Sequence, residues 1–160
     1  MSRRGMKVAI KHGQKLKEFR NKSEAEEYFF AYKDSSLEKL ERMCLHSDCF
    51  SADYSVDSLK ELEKWYFDLY ENYEFDKIGI AREEFEKIMG VYFGEVAVKN
   101  NVDAKWEIWE YPFVKGKYEL LVNQNLMSIS IGGMSNNLCT RQGNKRKNLM
   151  FREYNKYFNR

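Results

Sequence analysis

The chain has 160 residues, a net charge of +2, 16% aromatic residues, nine glycines and one proline. This length suits one domain that buries about two-thirds of its unfolded surface, and the composition excludes a long linker or a disordered middle. No apolar run approaches the roughly 18 to 20 residues that span a bilayer, which excludes a membrane-spanning protein. We predict a loosely ordered basic arm over residues 1–22 and a single domain over residues 23–160.

The first half of the chain shows helical periodicity. Within the basic arm, the sequence predicts a short helix over Gln14–Arg20. Ser23 and Glu26 have the spacing of a capping box, which predicts that a helix starts there. Apolar residues then recur at steps of three and four to about His46, and a break at Asp34–Ser36 stays open. A second amphipathic helix follows, capped by Ser55 or Asp57.

The next helix, which begins near Arg82, contains the segment GVYFGEV at residues 90–96. Its apolar residues keep the helical spacing, so the segment lies inside a helix and not in a phosphate-binding loop. Gly90 and Gly94 fall on one side of this helix, where the missing side chains let another backbone approach. Asn100 and Asn101 predict a left-handed helix end.

Beyond this helix the apolar period changes from about 3.6 residues to two. Three alternating runs with turn signals between them predict a three-stranded antiparallel meander. The runs are 105–111, 118–122 and 126–131. A last helix is predicted over Asn148–Phe158. The fold class is therefore α+β, with N-terminal helices, a meander of three or more strands and a C-terminal helix, and with helices covering one face of the sheet.

Three cysteines and two histidines are the candidates for metal or nucleophilic chemistry. Cys44, His46 and Cys49 are close in sequence and Cys139 could add a fourth ligand, but the spacing matches no standard zinc site. Three thiols cannot all pair within the chain, which is typical of a reducing cytoplasm. We predict a cytoplasmic protein with no metal, no cofactor and no catalytic residue.

Glu95 is the carboxylate that the pattern singles out. It would either pair with Lys99 one turn on, or turn inward toward the ring of Trp106 or Trp109. An inward carboxylate without donors is costly and therefore marks a functional site. Both alternatives stay open, and Glu95, Trp106 and Trp109 are candidate binding residues.

Charge is distributed unevenly along the chain. Residues 1–22 carry +7, residues 141–160 carry +6 and the middle carries −11. Basic termini on one face would form a patch able to meet phosphate, whereas termini on different faces would be solvated ends beside an acidic body. Arg141, Lys145 and Arg146 belong to the densest cationic stretch and complete the candidate binding residues.

One combination of residues resembles a known pattern. Ser55-x-x-Ser58-Leu59 is followed by Gly90-x-Tyr92-x-Gly94-Glu95-Val96 and then by Trp106. This is similar to uncharacterised bacterial cytoplasmic proteins in which a Gly-x-Tyr-x-Gly-Glu helix leads into a strand that bears the Trp. The resemblance covers residues 50–125 and implies a shared fold, a domain of unknown function, without an activity. Asp103-Ala104 stands here where those proteins often have a glycine.

These features together favour a non-enzymatic module that binds a protein partner, of the immunity or regulatory type. The support is the acidic middle and the surplus of aromatic side chains that could form a binding face. The alternative is a nucleic-acid-binding protein that uses the basic termini and stacks bases on its Tyr and Trp rings. A hydrolase or transferase centred on Glu95 ranks third, and no membrane partner is expected.

Overall fold

A computed structural model describes residues 2–141, 143 and 146–159. Within these residues the chain forms five α-helices and a three-stranded sheet. The elements are α1 Arg3–Lys15, α2 Lys22–Cys44, α3 Ser58–Glu71, α4 Arg82–Asn100, β1 Ala104–Glu110, β2 Tyr118–Gln124, β3 Met127–Ser130 and α5 Leu149–Phe158. The order of helices, strands and a last helix confirms the predicted α+β class.

The sheet is an antiparallel meander in the order β1-β2-β3. Trp106 of β1 lies opposite Val122 of β2, which in turn lies opposite Ile129 of β3. Because side chains alternate between the faces of a strand, these three residues share one face. Helices α2 and α4 pack on β1 and β2, so this face joins the main core.

Helix α4 is the centre of the molecule. It packs against α2, α3, α5, β1 and β2, and Phe85, Met89 and Phe93 on it are fully buried. A helix that is apolar on most sides is expected in such a position. Among the described helices, none combines the length and the apolar character needed to cross a bilayer.

The helix predicted at Gln14–Arg20 is wrong, because α1 occupies Arg3–Lys15 instead. Its basic residues recur every three or four positions on one side, so the helical period is carried by charge and not by apolar residues. The C-terminal end of α1 is held where Gly13 lies against Tyr111 and Val114.

Two predicted helix ends are also wrong. Asn21, not Ser23, caps α2, and its side chain accepts a hydrogen bond from the Glu24 amide at 2.9 Å. Asn101 at the end of α4 has an extended backbone with φ −134°. Its side-chain amide donates to the Ala97 carbonyl at 2.8 Å, which satisfies a helix-end acceptor without a left-handed residue.

The break left open at Asp34–Ser36 does not occur, and α2 is continuous. The Ser35 hydroxyl donates to the Tyr32 carbonyl at 3.0 Å within the same helix. Such back-bonding lets a serine stay inside a helix, so the polar run does not end α2.

Candidate functional site

Glu95 lies between α4 and β1, with its side chain 15% exposed. Its Oε2 accepts a hydrogen bond from Trp106 Nε1 at 2.8 Å, and its Oε1 lies 3.9 Å from Lys99 Nζ. Both contacts that the sequence left open as alternatives, with the Trp106 ring and with Lys99, are therefore present at once. This carboxylate has both a donor and a counter-charge, so its burial needs no further ligand.

Gly94 explains how Trp106 comes so close to α4. A Cβ on Gly94 would lie 2.1 Å from Trp106 Cη2, a distance that no real contact allows. The indole therefore lies directly against the glycine while its N–H reaches the next residue, Glu95. Gly90 makes the predicted approach to a backbone, since its Cβ would lie 2.9 Å from the Ile131 carbonyl oxygen. The two glycines of the GVYFGE run thus let α4 pack closely on Trp106 of β1 and on Ile131, directly after β3.

Tyr54 adjoins the same end of α4 and has a left-handed backbone with φ +59°. The Asn100 side chain donates to its carbonyl at 2.8 Å, and its own amide donates to the Tyr92 hydroxyl at 3.0 Å. These bonds hold a conformation that is uncommon for residues other than glycine. Sequence reasoning missed Tyr54, because nothing in its neighbours signals a positive φ.

Tyr54 and Tyr92 are weaker acids than an ordinary tyrosine. Burial raises the pKa of Tyr92 to about 12, and burial together with the hydrogen bond to Glu41 raises the pKa of Tyr54. A phenol with a raised pKa keeps its proton at neutral pH, so the Tyr54 hydroxyl donates to Glu41 while the Tyr92 hydroxyl oxygen accepts from the Tyr54 amide. The cluster is therefore suited to holding a backbone and not to nucleophilic attack.

Two buried carboxylates were missed by sequence reasoning. Glu63 on α3 accepts hydrogen bonds from the Leu149 and Met150 amides at 3.1 Å each, so it caps α5 from outside that helix. Burial raises the pKa of its carboxyl. Glu86 on α4 accepts from the Tyr66 hydroxyl at 3.2 Å and from a loop amide at 2.7 Å. A usable signal existed, because both acids stand on the apolar stripe of their helix.

The remaining candidate residues lie apart from Glu95. Trp109 is on the opposite face of β1 from Trp106, 46% exposed, and donates to Glu107. Arg141 donates to the Met134 carbonyl at 3.4 Å. Arg146 lies 3.6 Å from Glu71 at the end of α3. Lys145 lies outside the described residues. Of the candidate residues that the structure describes, only Glu95 and Trp106 contact each other.

The thiols do not converge on a metal-binding arrangement. Among the described residues, no group of three or more His, Cys, Asp or Glu side chains could hold a metal ion. Burial raises the pKa of the Cys44 thiol to about 11, so it stays protonated at neutral pH. Cys139 is buried elsewhere, where its sulfur accepts a hydrogen bond from Arg82 at 3.3 Å.

A groove of about 1610 Å³ lies beside α2 and α4, and we name it the α2–α4 groove. It is lined by the second half of α2, residues 45–49, the end of α3 and the first turns of α4. Met43, Leu45 and Ile78 give it an apolar lining that solvent reaches. Trp65, Leu69 and Ile88 also line it but are at most 4% exposed. Its charged lining residues are Lys39, Arg42, Lys77, Lys87, Asp48, Glu74, Glu83 and Glu84. Lys39 of α2 pairs with Glu84 of α4.

Comparison with known proteins gives a family. The sequence profile of the family described as "Uncharacterised protein YwmA" matches residues 18–158. The chain is also 31% identical over 109 residues to an uncharacterised YwmA protein of Bacillus subtilis, an alignment that covers 68% of this chain and 69% of the relative. No solved structure matches. That members of the family share the Gly-x-Tyr-x-Gly-Glu run stays a prediction.

Proposed function

We propose that this chain, which belongs to the YwmA family of uncharacterised proteins, is a non-enzymatic, cytoplasmic module that binds a protein partner. Its partner inserts an amphipathic helix into the α2–α4 groove. The observation that carries this proposal is the size of the groove together with its apolar lining.

The volume of the groove favours a polypeptide over a small molecule. Small-molecule sites have volumes of roughly 300 to 1,000 Å³ and enclose most of the ligand. The α2–α4 groove is larger, at about 1610 Å³. A helix laid into a groove uses anchors spaced three and four residues apart, which suits a long apolar lining with charged borders.

The charges of the groove also favour a protein partner. Four basic and four acidic side chains line it, so it presents both signs to an incoming surface. A nucleic-acid site would present an excess of positive charge. The basic termini pack against different elements: Gly13 of α1 lies on the turn after β1, whereas Arg146 lies beside Glu71 of α3.

A photoreactive residue placed at the groove tests the proposal. Leu45 lines the groove and is 81% exposed, whereas Leu126, in the hairpin between β2 and β3, is fully exposed and does not line it. We expect a benzoylphenylalanine at position 45 to cross-link one protein in cells, and the same residue at position 126 to leave that protein unlinked.

The purified partner then gives a quantitative test with matched variants. Leu45→Asp should weaken binding by at least about fivefold, since loss of an interface anchor removes more than about 1 kcal/mol. Leu126→Asp should leave the affinity unchanged. Equal cross-linking from both positions, or an affinity unaffected by Leu45→Asp, would refute the groove as the binding surface.

A further inference from the structure

A second, smaller cavity of about 350 Å³ lies at the edge of β2, and we name it the lysine pocket. It is lined by the end of α1, the first half of α2, α4, the start of β2 and the loop after β3. Its aromatic lining residues are Tyr28, Phe29, Tyr32 and Tyr118.

The lysine pocket exists because β3 is shorter than β2. The pairing of β2 with β3 begins at Leu121, whereas the isolated backbone bridge between Glu18 and Lys117 lies just before the start of β2. The Leu120 carbonyl still accepts from the Ile131 amide at 3.2 Å, and among the described residues Tyr118 and Glu119 have no partner strand on this side. The chain leaves the edge at Gly132 and Gly133, where an added Cβ would meet nothing within 4 Å.

The charge of this pocket is positive. Lys15, Lys17 and Lys87 line it, and none of them forms an ion pair within 4.0 Å in the part of the chain that the structure describes. The acid in the lining is Glu119, which already lies 3.4 Å from His12 and accepts a hydrogen bond from the Ser130 hydroxyl at 3.3 Å. These three lysines are exposed beside an aromatic wall, and the Glu24 carboxylate acts on Lys17 only over a longer distance, so all three can contact an anion supplied from outside.

The aromatic wall indicates what the anion carries. Tyr28 is 42% exposed, and the Lys17 ammonium lies 4.5 Å from its ring centroid. Phe29 and Tyr118 add apolar surface next to it. Ligand sites of this size are mostly apolar with a few charged groups that fix the orientation.

We propose that the lysine pocket binds a small organic anion, a carboxylate, sulfonate or phosphate attached to an aromatic body. The lysines bind the anionic group at the rim, and the ring of the ligand packs on the tyrosines and Phe29. This site adjoins the proposed partner groove, because Tyr32 and Lys87 line both, but Lys15 and Lys17 line the lysine pocket and not the α2–α4 groove.

The test uses 8-anilinonaphthalene-1-sulfonate, an aromatic anion whose fluorescence rises on binding, with the full chain. Location comes from amide NMR spectra, in which we expect the largest shifts at Gly132 and Gly133. Competition by phenyl phosphate and by benzoate then shows which anionic group is preferred, and inorganic phosphate alone shows whether the ring is needed.

Paired lysine variants supply the matched control. Lys15→Ala with Lys17→Ala should weaken the binding by roughly tenfold for each lysine, as expected for lost contacts to a charged group. The double variant Lys7→Ala with Lys11→Ala removes the same amount of positive charge, but from α1 residues that do not line the pocket. It should leave the affinity unchanged. Equal losses in both pairs, or amide shifts confined to the α2–α4 groove, would overturn the proposal.

Discussion

At the scale of single residues, Gly94 and Trp106 define the closest contact between α4 and the sheet. Trp106 is held from both sides, because its ring lies against Gly94 and its N–H donates to Glu95. The sequence predicted that Gly94 is a packing position. It could not predict that a side chain, and not a backbone, fills the space, since this depends on the register between α4 and β1.

Gly94→Ala should lower the free energy of unfolding by about 1 to 2 kcal/mol, because a Cβ so close to the Trp106 ring puts the overpacking cost at the upper end of its range. Overpacking costs about 1 to 3 kcal/mol, and the gain in helix propensity from Gly to Ala, about 1 kcal/mol, offsets only part of it. Chemical denaturation measures the difference. Gly133→Ala is the control, because a Cβ there meets nothing within 4 Å.

The second step of this test removes the ring carbons that collide with the new methyl group. In a Trp106→Phe background, Gly94→Ala should become neutral or stabilising, because the helix propensity gain is then unopposed. A loss of equal size in both backgrounds would show that Trp106 is not the neighbour that excludes a side chain.

Glu63 gives a prediction about pH. Burial raises the pKa of its carboxyl in the folded protein, so its contribution to stability is complete below the unfolded pKa of about 4.3 and is lost as the pH rises through the folded pKa. The difference in unfolding free energy between the native protein and Glu63→Gln should therefore shrink as the pH rises from 4 to 7. Urea titrations at several pH values measure it.

The control for this series is Glu61→Gln, which removes a carboxylate from the exposed side of the same helix. A difference for Glu63→Gln that grows with pH would show that the ionised carboxylate, accepting from the two α5 amides, is favoured by folding. That result would contradict burial as the dominant effect on this group.

At the scale of elements, the sequence predicted the type of most elements and erred at their ends. The change from a helical period to alternation placed all three strands within one or two residues of β1, β2 and β3. Helix α1 was missed because its period is carried by Arg and Lys, and the apolar residues Met6 and Ile10 stay partly exposed. A helical period of charged residues predicts a helix less reliably than an apolar period, because charged residues do not show which side of the helix is buried.

The start of α2 shows why helix ends are hard to predict. Asn21 and Ser23 are both good caps, and each has a glutamate three residues later. In the structure Asn21 accepts from the Glu24 amide, and the Glu24 carboxylate accepts from the Arg20 amide at 2.8 Å. Phe19 is buried just before this cap, so tertiary packing selects the earlier start.

Asn21→Ala should therefore destabilise the protein by about 1 kcal/mol, the usual value for a lost helix cap. Ser23→Ala, an exposed position inside the first turn, should change stability by less than about 0.5 kcal/mol. Thermal unfolding of the two variants decides between the caps. The reverse order would restore Ser23 as the residue that starts α2.

At the scale of the whole molecule, the architecture follows from the order of periods, whereas its concave surfaces do not. A sheet with one apolar face needs a cover, and α2 and α4 supply it. The α2–α4 groove and the lysine pocket depend on how far helices stand apart and on where β3 stops, which no local pattern encodes. For the same reason the candidate residues were predicted as one set, but of those that the structure describes only Glu95 and Trp106 lie together.

The most direct test of the α2–α4 groove as the partner surface is amide hydrogen exchange of the free protein and of its complex with the cross-linked partner. Bound partner atoms exclude water and hold local helical hydrogen bonds closed, which slows exchange. We expect slower exchange over residues 32–49 and 74–88, with β1 around Trp109 unchanged. Protection of the Trp109 face with an unchanged groove would contradict the account.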